Sequence, residues 1–84
     1  MNPRVKEVLP LKGYRLMLTF TNGEKRIYNM DGTLEKGIFS ELKNEEIFNT
    51  VRAVNGTVQW IHDQDICPDT LYLDSIPADK QSIN

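Results

Sequence analysis

The chain has 84 residues, a length that suits one compact domain around a single hydrophobic core. Apolar residues make up 39% of it and charged residues 26%, which excludes an intrinsically disordered protein. Ten basic against twelve acidic side chains give a formal charge of −2, too small for the field that selects nucleic acid or an anionic membrane.

The first predicted element is a strand over residues 4–11, with Val5, Leu9 and Leu11 on one face. Pro10 has no amide hydrogen to donate to a neighbouring strand, so this strand fits only the edge or the end of a sheet. A turn at Lys12-Gly13 then leads into the next strand.

A first hairpin is predicted from the alternation over residues 14–20, the Asn22-Gly23 dipeptide and a return strand over residues 25–30. A two-residue type I′ turn would pair Leu18 with Ile27 and Thr19 with Arg26. The core face of this register consists of Leu16, Leu18, Phe20 and Ile27. The opposite, exposed face carries Arg15, Arg26 and Tyr28.

A short or broken helix is predicted over residues 33–43, because Gly37 costs about 1 kcal/mol relative to alanine inside a helix. Its apolar side chains at helical spacing are Leu34, Ile38, Phe39 and Leu42. Asn44 and the two glutamates after it resemble an N-cap and an acidic first turn, so a second short helical turn is expected there.

The second hairpin is predicted at Asn55-Gly56, which can form a type I′ turn between two β-prone segments. Its register separates apolar from mainly polar residues without adjustment. The predicted core face consists of Val51, Ala53, Val58 and Trp60, and we expect the Trp60 indole to be a core residue.

A polar loop over residues 61–65 is followed by Pro68, which suits the first position of a helix. Residues 70–73 could also form a short strand, but the helix is favoured. The tail, residues 78–84, has little to bury and is expected to fray, which leaves one domain over residues 1–77. The sequence thus predicts an α+β fold: a small, mostly antiparallel sheet of about five strands, with two or three short helices.

The loop and the start of the last helix collect four side chains that could carry chemistry: His62, Asp65, Cys67 and Asp69. A calcium loop fails because Pro68 stands where the tight turn needs glycine. Zinc lacks a second Cys or His, and a Cys67–His62 nucleophile is less favoured than a cysteine that packs as a small hydrophobe. We predict no catalytic residue, no metal and no cofactor.

Cys67 is the only cysteine, so an intrachain disulfide is excluded and a reducing compartment is favoured. The N-terminal residues lack a signal-peptide pattern, and no apolar run is long enough to span a bilayer. We expect a cytoplasmic protein without a membrane partner.

Several segments together resemble an uncharacterised bacterial family, domain-of-unknown-function family 2442 (DUF2442). The segments are residues 13–16, 18–24, 37–39, 56–60 and 65–72, and the most specific is the last, Asp65-Ile66-Cys67-Pro68-Asp69-Thr70-Leu71-Tyr72. The resemblance covers about residues 3–77 and implies an α+β fold. Some members are joined to a DNA-binding helix-turn-helix, and some are encoded beside a small protein in a toxin–antitoxin-like arrangement. It implies no catalytic residues.

We therefore expect a non-enzymatic protein-interaction or regulatory module, antitoxin-like, whose partner is a small protein encoded nearby; a homodimer is also compatible with the small size. The alternative is a nucleic-acid-binding module that uses Arg15, Arg26 and Tyr28, which the acidic overall charge disfavours. A small enzyme or metal site around residues 62–69 is less favoured than either.

Overall fold

The computed structural model describes residues 2–78, which fold into strands and short helices. The strands are β1 (Val5–Leu11), β2 (Arg15–Phe20), β3 (Lys25–Asn29), β4 (Arg52–Val54), β5 (Thr57–Gln59), β6 (Asp65–Ile66) and β7 (Ile76–Pro77). The helices are two 3₁₀ helices (Thr33–Glu35 and Gly37–Lys43), α1 (Glu45–Phe48) and α2 (Pro68–Leu73). The predicted α+β class is confirmed, and the short strands β6 and β7 are additions to it.

The strands form two antiparallel sheets, one in the order β1-β2-β3-β7 and one in the order β4-β5-β6. β1 is an edge strand, as Pro10 requires. The last strand, β7, returns from α2 to pair with β3, where Ile76 lies opposite Ile27. The C-terminal part of the domain is therefore fastened to the first hairpin.

The predicted register of the first hairpin is wrong by one residue. Leu18 lies opposite Arg26, and Met17 opposite Ile27. Gly23 donates its amide hydrogen to the Phe20 carbonyl at 2.9 Å, and only Gly23, with φ +90°, takes a positive φ. The loop is therefore a type I turn followed by a left-handed glycine, the usual three-residue hairpin loop, and not a type I′ turn.

The second hairpin has the predicted register, with Ala53 opposite Val58. Both turn residues take positive φ, +52° at Asn55 and +84° at Gly56, as a type I′ turn requires. Val58 and Trp60 are buried as predicted, but Ala53 is exposed because β4 is a three-residue edge strand. The predicted core face is thus wrong at Ala53.

The predicted face of β1 is also wrong in part. Val5 lies opposite Phe20, but Glu7 lies opposite Thr19, so the register shifts by one residue and Lys6 forms a bulge. Beyond the bulge the alternation is inverted, and Leu9 points away from the core with 59% of its surface exposed.

The predicted broken helix is confirmed as two 3₁₀ helices that separate at Lys36, next to Gly37. The tighter 3₁₀ repeat places Phe39 and Leu42 on one face, so Ile38 is exposed rather than buried as its α-helical spacing implied. The Asn44 side chain accepts the Glu46 amide hydrogen at 3.0 Å, which confirms the predicted N-cap of α1.

The core lies against one face of the four-stranded sheet and includes the predicted Trp60, which is fully buried. The Trp60 indole donates to the Phe48 carbonyl at 2.9 Å, so its only polar hydrogen is satisfied. The buried members from the first sheet are Val5, Leu16, Leu18, Phe20 and Tyr28.

The predicted helix at Pro68 is confirmed, with Pro68 in the first turn after the N-cap Cys67. Within residues 2–78, no helix has the length and apolar character needed to cross a membrane. The predicted frayed tail, residues 78–84, lies outside the described residues except for Ala78.

Candidate interaction surface

The three residues predicted to share an exposed face do not share one. Arg15 lies on the outer face of the four-stranded sheet, which is the side opposite the core. Tyr28 lies opposite Leu16 and Arg26 opposite Leu18, so both point to the core side. The grouping of Arg15, Arg26 and Tyr28 is wrong because the one-residue change in register inverts every side chain of β3.

Arg26 is held in a set of contacts with the C-terminal segment. Its guanidinium donates to the Ser75 hydroxyl at 2.8 Å and to the Ser75 carbonyl at 2.7 Å. It also lies 4.7 Å above the centre of the Tyr72 ring and 3.5 Å from the Glu24 carboxylate. Arg26 therefore fastens α2 and β7 to the first hairpin, a structural role that leaves little of its guanidinium for phosphate.

The other side of this cluster is a bond between Tyr72 and Glu24. The phenol donates to the carboxylate, with oxygen distances of 2.8 and 3.0 Å. This hydrogen bond, and then partial burial, raise the pKa of Tyr72 above its usual 10.0, and the nearby Arg26 opposes the rise. The phenol therefore stays protonated at neutral pH and continues to hold the carboxylate.

The predicted functional loop is spread out rather than drawn into one pocket. The imidazole Nδ1 of His62 lies 2.8 Å from the Glu41 carboxylate, and Gln64 donates to the Ile38 carbonyl at 3.1 Å and to Glu41. Among residues 2–78, no three His, Cys, Asp or Glu side chains come together as a metal site would require. His62 and Gln64 bind the second 3₁₀ helix to the loop.

The other three predicted loop residues are exposed. Asp65 lies in β6, and Asp69 accepts a hydrogen bond from the Asn2 side chain at 3.3 Å in the first turn of α2. Cys67 is exposed, so its interpretation as a packed core residue is wrong. It stands at the N-cap of α2, directly after the two-residue strand β6.

The structure reveals a feature that single segments do not show: a row of four apolar residues across the outer face, hereafter the apolar row. Leu9 lies opposite Met17, Met17 opposite Ile27, and Ile27 opposite Ile76, one residue from each strand of the sheet. Leu9 is 59% and Ile76 51% exposed. Ile27, at the centre of the row, is only 7% exposed in the single chain and lies outside the main core cluster.

Two mixed rows flank the apolar row on the outer face. On one side Glu7, Thr19 and Lys25 lie opposite one another, and on the other side Leu11, Arg15 and Asn29 do so. The face therefore combines an apolar centre with a polar rim, the anatomy of a protein–protein contact. Cross-strand neighbours in such a sheet are about 4.8 Å apart, so the row is a continuous strip.

Sequence reasoning missed this surface for two physical reasons. The bulge at Lys6 moves Leu9 to the outer face, and the three-residue turn moves Ile27 there. Ile76 joins the row only because the two-residue β7 pairs with β3. One signal was available in the sequence: the alternation of β2 places the apolar side chain of Met17 on the outer face, between Arg15 and Thr19.

The fold defines a small α+β domain in which one face of the four-stranded antiparallel sheet packs on the core and the opposite face carries the apolar row. A scan against models of protein families matches residues 5–77 to the family described as protein of unknown function (DUF2442). The chain belongs to this family. Neither the search of curated proteins nor the search of solved structures gave a match.

Proposed function

We propose that the protein is a non-enzymatic protein-interaction module that binds its partner through the outer face of the four-stranded sheet. The observation that carries the proposal is the apolar row, which runs across all four strands with both ends, Leu9 and Ile76, more than half exposed. Water contact with these side chains is unfavourable by about 25 cal/mol per Å², so a covering protein surface stabilises them.

The rim supports the same function. Glu7, Lys25 and Arg15 surround the apolar row with both signs of charge, which favours a protein surface over a polyanion. Of the three residues predicted to bind nucleic acid, Arg15 alone lies on this face, so the nucleic-acid alternative loses the patch that motivated it. A regulatory, antitoxin-like role with a small protein encoded nearby remains the specific form of interaction that we propose to test first.

The proposal is tested by affinity purification of the tagged protein from its native host, with two matched variants. Leu9→Lys places a charge at the end of the apolar row, whereas Ile38→Lys changes a similarly exposed apolar residue, 69% exposed, on the second 3₁₀ helix. Both variants should retain the wild-type circular dichroism spectrum, because both positions face solvent.

We expect mass spectrometry to find a specific protein with the wild type and with Ile38→Lys, and to find it strongly depleted with Leu9→Lys. A partner that both variants retain, or that both lose, would contradict an interaction through the outer face. The antitoxin-like form is tested by co-expression with the neighbouring protein, whose toxicity the wild type should suppress and Leu9→Lys should not.

A further inference from the structure

We infer that one partner of the outer face is a second copy of this chain, packed sheet against sheet about a two-fold axis. The inference rests on the proposed function of the outer face and names its occupant. The members of the apolar row follow one another across β1, β2, β3 and β7 in the order Leu9, Met17, Ile27 and Ile76. Because every member of the row is an aliphatic residue, the row can pack against a second copy that runs in the opposite strand order without placing a polar side chain against an apolar one.

The axis that achieves this lies parallel to the strands, above the gap between β2 and β3. A half-turn about it exchanges β1 with β7 and β2 with β3 across the interface. Leu9 then faces the partner subunit's Ile76, and Met17 faces the partner subunit's Ile27. The two most exposed members of the row, Leu9 and Ile76, are thereby covered, and Met17 packs over Ile27, which is already buried in the single chain.

The charges of the rim are complementary in the same arrangement. Lys25 faces Thr19 of the partner subunit, whose neighbour in the same row is Glu7 of the partner subunit. Arg15 faces the partner subunit's Asn29. No two like charges of the three rows are placed directly opposite each other, and each interface contains two symmetry-related pairs of Lys25 with Glu7.

The size of the face indicates a weak dimer. Strands about 4.8 Å apart and rows about 6.8 Å apart give roughly 400 Å² of sheet per subunit, at the low end of specific interfaces. We therefore expect a monomer at micromolar concentration and a dimer that forms as the concentration approaches millimolar. Sheets that pack face to face in this way lie about 10 Å apart.

The test is sedimentation equilibrium of the full chain with charge-reversed variants, Glu7→Lys and Lys25→Glu. Each variant alone places like charges at both symmetric pairs, and we expect its dimer dissociation constant to rise roughly fivefold over wild type. In an equal mixture of the two, every Lys25–Glu7 position regains opposite charges. The mixed dimer should therefore recover the wild-type dissociation constant to within roughly twofold.

A second pair of variants tests the apolar row itself. Leu9→Lys should weaken the dimer at least roughly tenfold, because it leaves a desolvated charge at the interface, whereas the exposed control Ile38→Lys should leave it unchanged. A wild-type protein that stays monomeric at millimolar concentration would overturn the inference. So would single charge variants that dimerise as well as wild type, or a mixture that associates no better than either variant alone.

The two proposals fail in distinguishable ways. A monomeric wild type whose foreign partner is lost with Leu9→Lys keeps the interaction function and removes the second copy as its occupant. A monomeric wild type that shows no Leu9-sensitive partner removes both.

Discussion

The two hairpins of this protein carry the same Asn-Gly dipeptide and yet turn in different ways. Asn55-Gly56 forms a two-residue loop with both residues at positive φ, whereas Asn22 keeps an ordinary negative φ and only Gly23 is left-handed. In the first loop the Asn22 side chain accepts the Glu24 amide hydrogen at 3.0 Å, which stabilises the alternative turn.

A contact distant in sequence explains the difference further. The Thr21 amide donates to the Arg4 carbonyl at 2.8 Å, and the Arg4 amide donates to the Thr21 hydroxyl at 3.3 Å. These two hydrogen bonds hold Thr21 in the loop, which therefore has three residues rather than the two of a type I′ turn. The same dipeptide can thus set two registers, and the neighbouring backbone decides between them.

The substitution with the largest expected effect is Tyr28→Ala, which tests the register of the first hairpin. Tyr28 faces the core and is 7% exposed, so its truncation should lower the free energy of unfolding by about 3 kcal/mol. Arg15→Ala, on the outer face, should change it by less than about 0.5 kcal/mol. Urea denaturation measures both, and equal small effects would restore the two-residue turn and its register.

Arg26→Ala should have the next largest effect. It removes two hydrogen bonds to Ser75 and the contact with the Tyr72 ring, so we expect a loss of about 2 kcal/mol. Lys25→Ala, its exposed neighbour in β3, is the control and should be nearly neutral. Hydrogen exchange should also show faster exchange in the β3–β7 pair for Arg26→Ala only; unchanged exchange there would argue against the fastening role of Arg26.

A matched pair of glycine substitutions compares the turns directly. Alanine at Gly23 or at Gly56 would have to adopt a positive φ, which costs about 1 kcal/mol. A Cβ at Gly23 meets no atom within 4 Å, whereas one at Gly56 lies 3.1 Å from the Arg4 Cβ. Gly56→Ala should therefore be more destabilising than Gly23→Ala by about 1 kcal/mol in thermal or urea denaturation. The reverse order would contradict the difference in packing.

The smallest expected effect is a pH dependence from Tyr72. Since its pKa is raised in the folded state, the folded protein binds the phenolic proton more tightly than the unfolded chain. This contribution to stability is complete below about pH 10, the unfolded pKa, and is lost as the pH rises through the higher folded value. Tyr72→Phe should flatten the alkaline decline in stability, and an identical decline in both proteins would contradict the Glu24 bond.

The features that sequence reasoning predicted are those that depend on neighbours in the chain. The Asn55-Gly56 turn, the Asn44 cap and the helix start at Pro68 each arise from a few adjacent residues. The features it missed depend on distant contacts. The bulge at Lys6 is defined by the pairing of β1 with β2, and the two-residue β7 is a strand only because it pairs with β3.

The candidate surface also depends on contacts between residues that are distant in the sequence. Its apolar row takes one residue from each of four strands. In two of these strands, β1 and β3, the bulge at Lys6 and the turn at Gly23 place the row residue on the face opposite to the predicted one. Alternation within one strand cannot reveal such a row. The predicted patch of Arg15, Arg26 and Tyr28 failed for the same reason, since a shift of one residue exchanges the two faces of a strand.

The most direct test of the outer face as the surface that binds a second copy of the chain is an isotope-filtered NOE measurement on a concentrated mixture of labelled and unlabelled protein. We expect intermolecular NOEs from the Met17 methyl group to Ile27 of the partner subunit, and from Leu9 to Ile76 of the partner subunit. Intermolecular NOEs confined to Ile38 or to other residues outside the apolar row would contradict the sheet-to-sheet dimer, as would their complete absence at millimolar concentration.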